Sequence, residues 1–331
     1  MAGTWVSLDM NCPMPKCKER IIPGLRSDSS VHIAQGQEEA KTLHEASERE
    51  AQQLKNRIMR SLNSLPPMHK VVTKAQEIMA DPNSDVEDLA VIIETDQSIV
   101  VKILKLMNSA HYGLGREVSS IRQACSLLGF RALQEVVVTA GVSDVLGRKL
   151  KGYEFESGEL RLHSIATGFC SRILAEKKNR ELANDAYTGG LLHDVGKIIL
   201  DPYVLERKDA FDNFMKDETK MVLDAEKAIL GFDHAEIASD ICRKWHIPEN
   251  VILAIQYHHC PSLSEGSELA HIVHTADYLV RLSGLGYEDD DLMIDLEAGA
   301  LDFLGFKQES FSDITFQVLE YVQKLDSAYH G

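Results

Sequence analysis

With 331 residues, 44% of them hydrophobic and 26% charged, the chain has the composition of a globular protein and the length for one large or two ordinary domains. Its net charge of −16, from 35 basic against 51 acidic residues, repels phosphate backbones and argues against general nucleic-acid binding. No window approaches about 18 uninterrupted apolar residues, and the amino terminus lacks a signal peptide's apolar region, so the expectation is a cytoplasmic protein with no membrane partner.

Residues 1–36 carry Pro13, Pro15, Pro23, Gly24, Ser27, Ser29, Ser30 and Gly36 without periodicity, the pattern of a flexible tail. A polar helix follows from Glu38 to Leu62, and Leu65-Pro66-Pro67 breaks it. Apolar spacings of three and four then predict helices at Val71–Ala80, Asp85–Thr95, Ser98–Asn108, Ile121–Leu128 and Ala132–Leu146. Turns fall at Asp81-Pro82-Asn83, His111-Tyr112-Gly113 and Leu128-Gly129-Phe130, and Asp85 is placed to cap its helix. Further helices fit Gly158–Glu176, a segment from Glu181, Met221–Leu230, His234–Trp245, Glu249–His258, Leu269–Ser283 and Phe311–Tyr329, with a turn-rich connector at Gly284–Asp291. Strict period-two alternation is absent, so the fold expected is all-α. Cys12 and Cys17 have no matching second pair for a zinc knuckle, and Cys125, Cys170, Cys242 and Cys260 read as small core residues.

The most informative stretch is Leu191-Leu192-His193-Asp194-Val195-Gly196-Lys197, read as an apolar helix ending at Gly-Lys. A carboxylate in an apolar run needs a partner, and a cation held jointly with the neighbouring imidazole supplies one. Other candidates stand on successive helices: His163 before, then His234, His258-His259 and Asp277. Singly, each has an ordinary reading, a hydrogen-bonded core histidine for His163 or a helix cap for Asp277. Their conjunction in one order points to a metal site. Asn108 and Ser109 are either cleft residues or the end of a helix, and His274 is a reserve ligand.

The order His163, His193-Asp194, Asp277 resembles the motif of the HD metal-dependent phosphohydrolase superfamily, and His234, His258 and His259 are similar to the extra histidines of the HD-GYP phosphodiesterases. Thr95-Asp96-Gln97-Ser98-Ile99-Val100, Asn108-Ser109-Ala110, Ile121-Arg122-Gln123-Ala124 and Leu127-Leu128-Gly129 look like the amino-terminal signature of HDOD domains, the HD-related output domains of bacterial signalling proteins. The resemblance covers about residues 55 to 265. It implies an HD-like helical bundle with an added helical lobe, divided as a tail (1–36), an amino-terminal lobe (37–150), a metal-binding lobe (151–285) and a carboxy-terminal extension (286–331).

By the same resemblance His163, His193 and Asp277 would hold one divalent transition metal, His234, His258 and His259 a second, and Asp194 would bridge them. Iron, manganese or zinc suits such donors. Lys197 would contact a substrate phosphate. Glu159 matches the carboxylate of three-metal forms, although a surface carboxylate is its ordinary reading. After His259 comes Cys260-Pro261-Ser262-Leu263-Ser264-Glu265-Gly266, not the glycine-rich loop ending in Gly-Tyr-Pro, so the part that cradles a cyclic dinucleotide is missing. The expectation is a regulatory protein acting through a signalling partner or a small phosphorylated ligand, with an active phosphohydrolase or phosphodiesterase as the alternative.

Overall fold

Apolar residues recurring every three or four positions give each segment one stripe to bury, and the chain buries them by packing helix on helix. The structure, a computed structural model, describes residues 49–330 apart from 66–67, 69, 82, 109–117, 218–219, 286–295 and 307–310. Helix α1 spans 49–64 and is followed by α2 (Lys70–Ala80), α3 (Val86–Glu94), α4 (Gln97–Met107) and α5 (Ile121–Leu146). Then come α6 (Glu159–Lys178), α7 (Ala183–Leu192), α8 (Lys197–Glu206), α9 (Lys208–Phe214), α10 (Val222–Leu230), α11 (His234–Lys244), α12 (Glu249–Gln256) and α13 (Glu268–Leu282). Short α14 (Ala300–Leu304) and α15 (Phe311–His330) complete the order. Among the described residues the one strand-type pairing is an isolated bridge between Leu150 and Phe155. The fold is all-α, as expected.

The helix starts follow side-chain chemistry. Asp85 accepts the amides of Glu87 at 2.8 Å and Asp88 at 3.0 Å, while the Asp88 carboxylate accepts the Asp85 amide at 3.1 Å, a reciprocal capping box. Asp233 forms the same box with Glu236 at the start of α11, and Asp96, Ser120 and Ser267 cap α4, α5 and α13 by accepting backbone amides. At the end of α4, Asn108 donates to Val118 O at 2.8 Å and accepts the Val118 amide at 2.7 Å, so it closes a loop at a helix terminus. Ser109 and His111-Tyr112-Gly113 lie outside the described residues, as do the tail, Cys12, Cys17 and residues 286–291 of the connector.

One expectation holds in detail and another changes. At Gly129 (φ 72°, ψ 173°) the backbone leaves the helical region, so α5 is two helical stretches joined across a kink where the turn was expected. Gly196-Lys197 is not a helix stop. Gly196 keeps right-handed helical angles (φ −62°, ψ −30°), and Lys197 N–H donates to Asp194 O at 3.0 Å, so residues 193–196 form a tight turn from which α8 resumes. Pro202 inside α8 breaks the local pattern there.

Core residues run continuously from Leu54 to Val322. Two features of this packing set up the site. First, α6 and α7 cross backbone to backbone: a Cβ at Gly190 would lie 2.6 Å from Thr167 O and 2.8 Å from Gly168 N. Second, Lys244 at the end of α11 donates to Leu62 O (3.2 Å), Asn63 O (2.8 Å) and Leu65 O (2.6 Å), a cation capping the carbonyl end of α1. Lys244→Met keeps the stem and removes these donors, so it is expected to destabilise the fold by about 2 kcal/mol, read as a lower urea midpoint at unchanged slope.

Candidate metal centre

The close crossing of α6 and α7 brings His163, on α6, against His193, the residue that follows α7. Their Nε2 atoms are 3.3 Å apart, and Asp277 from α13 reaches both, its Oδ1 lying 3.0 Å from His163 Nε2 and 3.5 Å from His193 Nε2. Asp194 divides its carboxylate. Oδ2 faces this first group, 3.4 Å from His193 Nε2 and 3.8 Å from His163 Nε2. Oδ1 faces the first residue of α11, 3.2 Å from His234 Nε2. His234 Nε2 in turn is 2.8 Å from His259 Nε2, and the rings of His258 and His259 lie 4.0 Å apart. The seven residues singled out in the sequence therefore converge. Three sets have donor atoms mutually within 4.8 Å: His163, His193 and Asp277; His234, His258 and His259; His193, Asp194 and His258.

Gly196 makes the second half possible. A Cβ there would lie 2.0 Å from His234 O and 2.8 Å from Ala238 N, so α11 approaches the His-Asp turn at a distance a side chain forbids.

The centre is a low-dielectric pocket with fixed donors. His163, His193, Asp194, His234, His258 and Asp277 are all buried, and His259 is half-buried. Burial opposes ionisation of Asp194 and Asp277, but Lys197 and the imidazoles outweigh it for Asp194, and the nearby His163 and His193 rings with Arg281 do so for Asp277, holding both carboxyls well below the usual range. Burial, with the neighbouring imidazoles, pushes His258 and His259 far down toward the neutral form. Lys197 is buried too, its Nζ 2.7 Å from Asp194 Oδ2 and within 6.0 Å of the ring centres of Tyr153 and Phe155.

Backbone acceptors set the ring orientations. Nδ1 of His163 donates to Leu285 O at 3.2 Å, that of His193 to Gly190 O at 2.7 Å, and that of His258 to Ile255 O at 2.7 Å. A neutral imidazole donating through Nδ1 carries its lone pair on Nε2. His258 Nε2 is such a lone pair, buried and with no hydrogen-bond partner. A buried acceptor left open beside two ionised carboxylates and four further imidazoles is the donor set a divalent transition metal requires, so the residues present fit such an ion.

Sequence reasoning missed Glu226 and Tyr153. Glu226 is fully buried and accepts the His234 amide at 2.7 Å, His234 Nδ1 at 2.7 Å and the Tyr153 hydroxyl at 2.6 Å. A signal existed: Val222, Ile229 and Leu230 flank Glu226 at helical spacing, so a carboxylate interrupts an apolar stripe. Burial and the Glu226 carboxylate keep Tyr153 well above its ordinary pKa, as a donor.

Other candidates fall elsewhere. Glu159 is half-buried and accepts the Glu156 amide at 2.7 Å, closing the start of α6. His274 is not a reserve ligand, because Nδ1 donates to His258 O at 2.7 Å and Nε2 accepts the Glu297 amide at 2.9 Å. His271 donates to Ser267 O at 2.8 Å and stacks on Phe303. Cys125, Cys170 and Cys242 are buried as expected, whereas Cys260 is exposed, since it follows the end of α12 rather than lying on its apolar face. No described helix is long and apolar enough to cross a membrane.

Comparison with known proteins agrees with this architecture. An uncharacterized protein of Treponema pallidum (strain Nichols) is 27% identical over 201 residues, 60% of this chain, and the chain spans 38% of that relative's length. The solved structure of an HDOD domain protein of unknown function from Geobacter sulfurreducens superposes with a TM-score of 0.69 at 22% identity, covering 83% of this chain and 97% of that one. A candidate phosphohydrolase from Shewanella amazonensis SB2B gives a TM-score of 0.64 at 20% identity, with 82% and 97% covered. At these identities both structures establish the fold alone. The HDOD domain model matches residues 65–261 of the 331, more than half of the sequence, and the chain therefore belongs to the HDOD family.

Proposed function

We propose that the protein is a signalling module whose HD half holds two divalent transition-metal ions, and that it acts by binding a protein partner or a small phosphorylated ligand rather than by turnover. His163, His193 and Asp277 would hold one ion, His234, His258 and His259 the other, with Asp194 shared. The observation that carries this reading is closure. Six of the seven donors are buried, and a complete, enclosed ligand set is the mark of structural metal sites, whereas catalytic sites keep a position open.

Two further features support it. The Lys197 ammonium is buried and paired with Asp194 in the interior. The segment after His259 forms one short turn whose Ser262 amide and hydroxyl donate to Glu297, leaving a carboxylate where a phosphate cradle would need donors. When bound, the ions would supply Lewis acidity and hold the ligand-bearing helices together; ions that bind the folded state alone stabilise it by mass action, by about 2.7 kcal/mol at 100 times Kd. The split Asp194 carboxylate also suits an active phosphohydrolase, the second reading.

Elemental analysis of the purified protein should find two transition-metal equivalents, their removal by chelator should lower the melting temperature, and a generic phosphodiester should not be hydrolysed with metal restored. Absence of metal uptake would sink the reading. Hydrolysis that disappears in Asp194→Ala would replace it with the enzyme.

A further inference from the structure

The two halves of the centre differ in what stands behind their imidazoles. His163, His193 and His258 each donate Nδ1 to a neutral backbone carbonyl. His234 donates to a carboxylate, that of Glu226, which also accepts the His234 amide. The side chain thus grips His234 at two points, ring and backbone, and leaves the ring little freedom to turn. Tyr153 holds the other carboxylate oxygen at 2.6 Å. It is delivered by the tight turn between Leu150 and Phe155, where Glu154 adopts φ 61° and Leu150 and Phe155 exchange both backbone hydrogen bonds. On the far side, Asp233 caps α11 and pairs with Lys227, one residue beyond Glu226, at 3.2 Å, so the α10–α11 corner is braced from outside as well.

We propose that Glu226, held by Tyr153, is a positioning residue that makes the two cation sites unequal: it aims His234 Nε2 at Asp194 and sets the affinity of the half formed by His234, His258 and His259, without acting on the half formed by His163, His193 and Asp277. The inference rests on the two-ion reading above. Carboxylates behind a ligating imidazole fix its tautomer and raise its basicity, and their loss typically weakens metal binding 10- to 100-fold. Glu226→Gln preserves shape but removes the charge and one acceptor. Tyr153→Phe leaves the carboxylate in place and loosens it.

The test is calorimetric titration of the metal-stripped protein with zinc, using the wild type, Glu226→Gln, Tyr153→Phe and Asp277→Asn, each checked by circular dichroism and thermal unfolding. Glu226→Gln should weaken one zinc step about 10- to 100-fold and leave the other unchanged. Tyr153→Phe should weaken the same step by less, and it carries the test if Glu226→Gln does not fold. Asp277→Asn should weaken the opposite step. Equal weakening of both steps, or of neither, in a folded Glu226 or Tyr153 variant overturns the inference while the two-ion reading stands. A wild type that takes up no zinc removes both.

Discussion

Asp194→Asn is expected to empty both halves of the centre and to destabilise the metal-free fold by about 3 kcal/mol or more. The Asp194 carboxylate faces both sets of imidazoles, Oδ2 toward His193 and Oδ1 toward His234. An asparagine of the same shape keeps one acceptor but brings no charge, so neither ion retains its shared ligand. The effect on folding has a separate origin. Asp194 lies 2.7 Å from the buried Lys197 ammonium, and breaking a buried pair by removing one member costs about 3–5 kcal/mol, because a desolvated charge is left uncompensated.

The double variant Asp194→Asn/Lys197→Met separates the two roles. It should recover much of the lost stability in urea unfolding and none of the metal in elemental analysis. Linkage adds a sign. The Asp194 pKa is depressed in the folded protein, so its contribution is present above its unfolded value of about 3.9 and is lost as pH falls below that. The metal-free wild type should therefore lose stability more steeply below about pH 4 than Asp194→Asn does. Full retention of both ions in Asp194→Asn would refute the bridging role.

Gly196→Ala is expected to be nearly as damaging, through geometry alone. The added methyl would meet His234 O at 2.0 Å and Ala238 N at 2.8 Å, both backbone atoms that no rotamer change can move aside. Overpacking of interiors typically costs about 1–3 kcal/mol, and a backbone clash belongs at or above the upper end. Relief requires α11 to withdraw from the His193–Gly196 turn, which carries His234 away from Asp194 Oδ1. The variant should lose several degrees of melting temperature and hold the ion of the His163 half better than the other. A variant that melts with the wild type and binds two equivalents would show that α11 does not depend on this contact.

The Gly196 result also locates the boundary of what could be read in advance. Glycine in the His-Asp-Val-Gly-Lys stretch reads locally as a helix stop, yet its backbone angles are helical and the reason for glycine is a neighbour 38 residues further along the chain, His234. The helices in 197–214 are hidden from a periodicity count in a related way, since Pro202 interrupts the local pattern inside α8 and α9 has only seven residues. His274 looked like a spare ligand because its neighbours are apolar and Asp277 is one turn away. Its ring nitrogens are occupied by His258 O and Glu297 N, partners 16 and 23 residues distant.

What the order of residues determined alone is the all-α class, most helix starts, and the seven side chains that meet. Helical periodicity, caps and the spacing of His and Asp are local properties, fixed within about one or two turns of chain. Tertiary packing decided the rest: that Asp194 splits its oxygens between two groups, that Lys197 turns inward to it, and that Glu226 stands behind His234. Those relations depend on how closely α6, α7, α10 and α11 approach one another, and such distances are set by contacts between residues far apart in the chain, which no local pattern records.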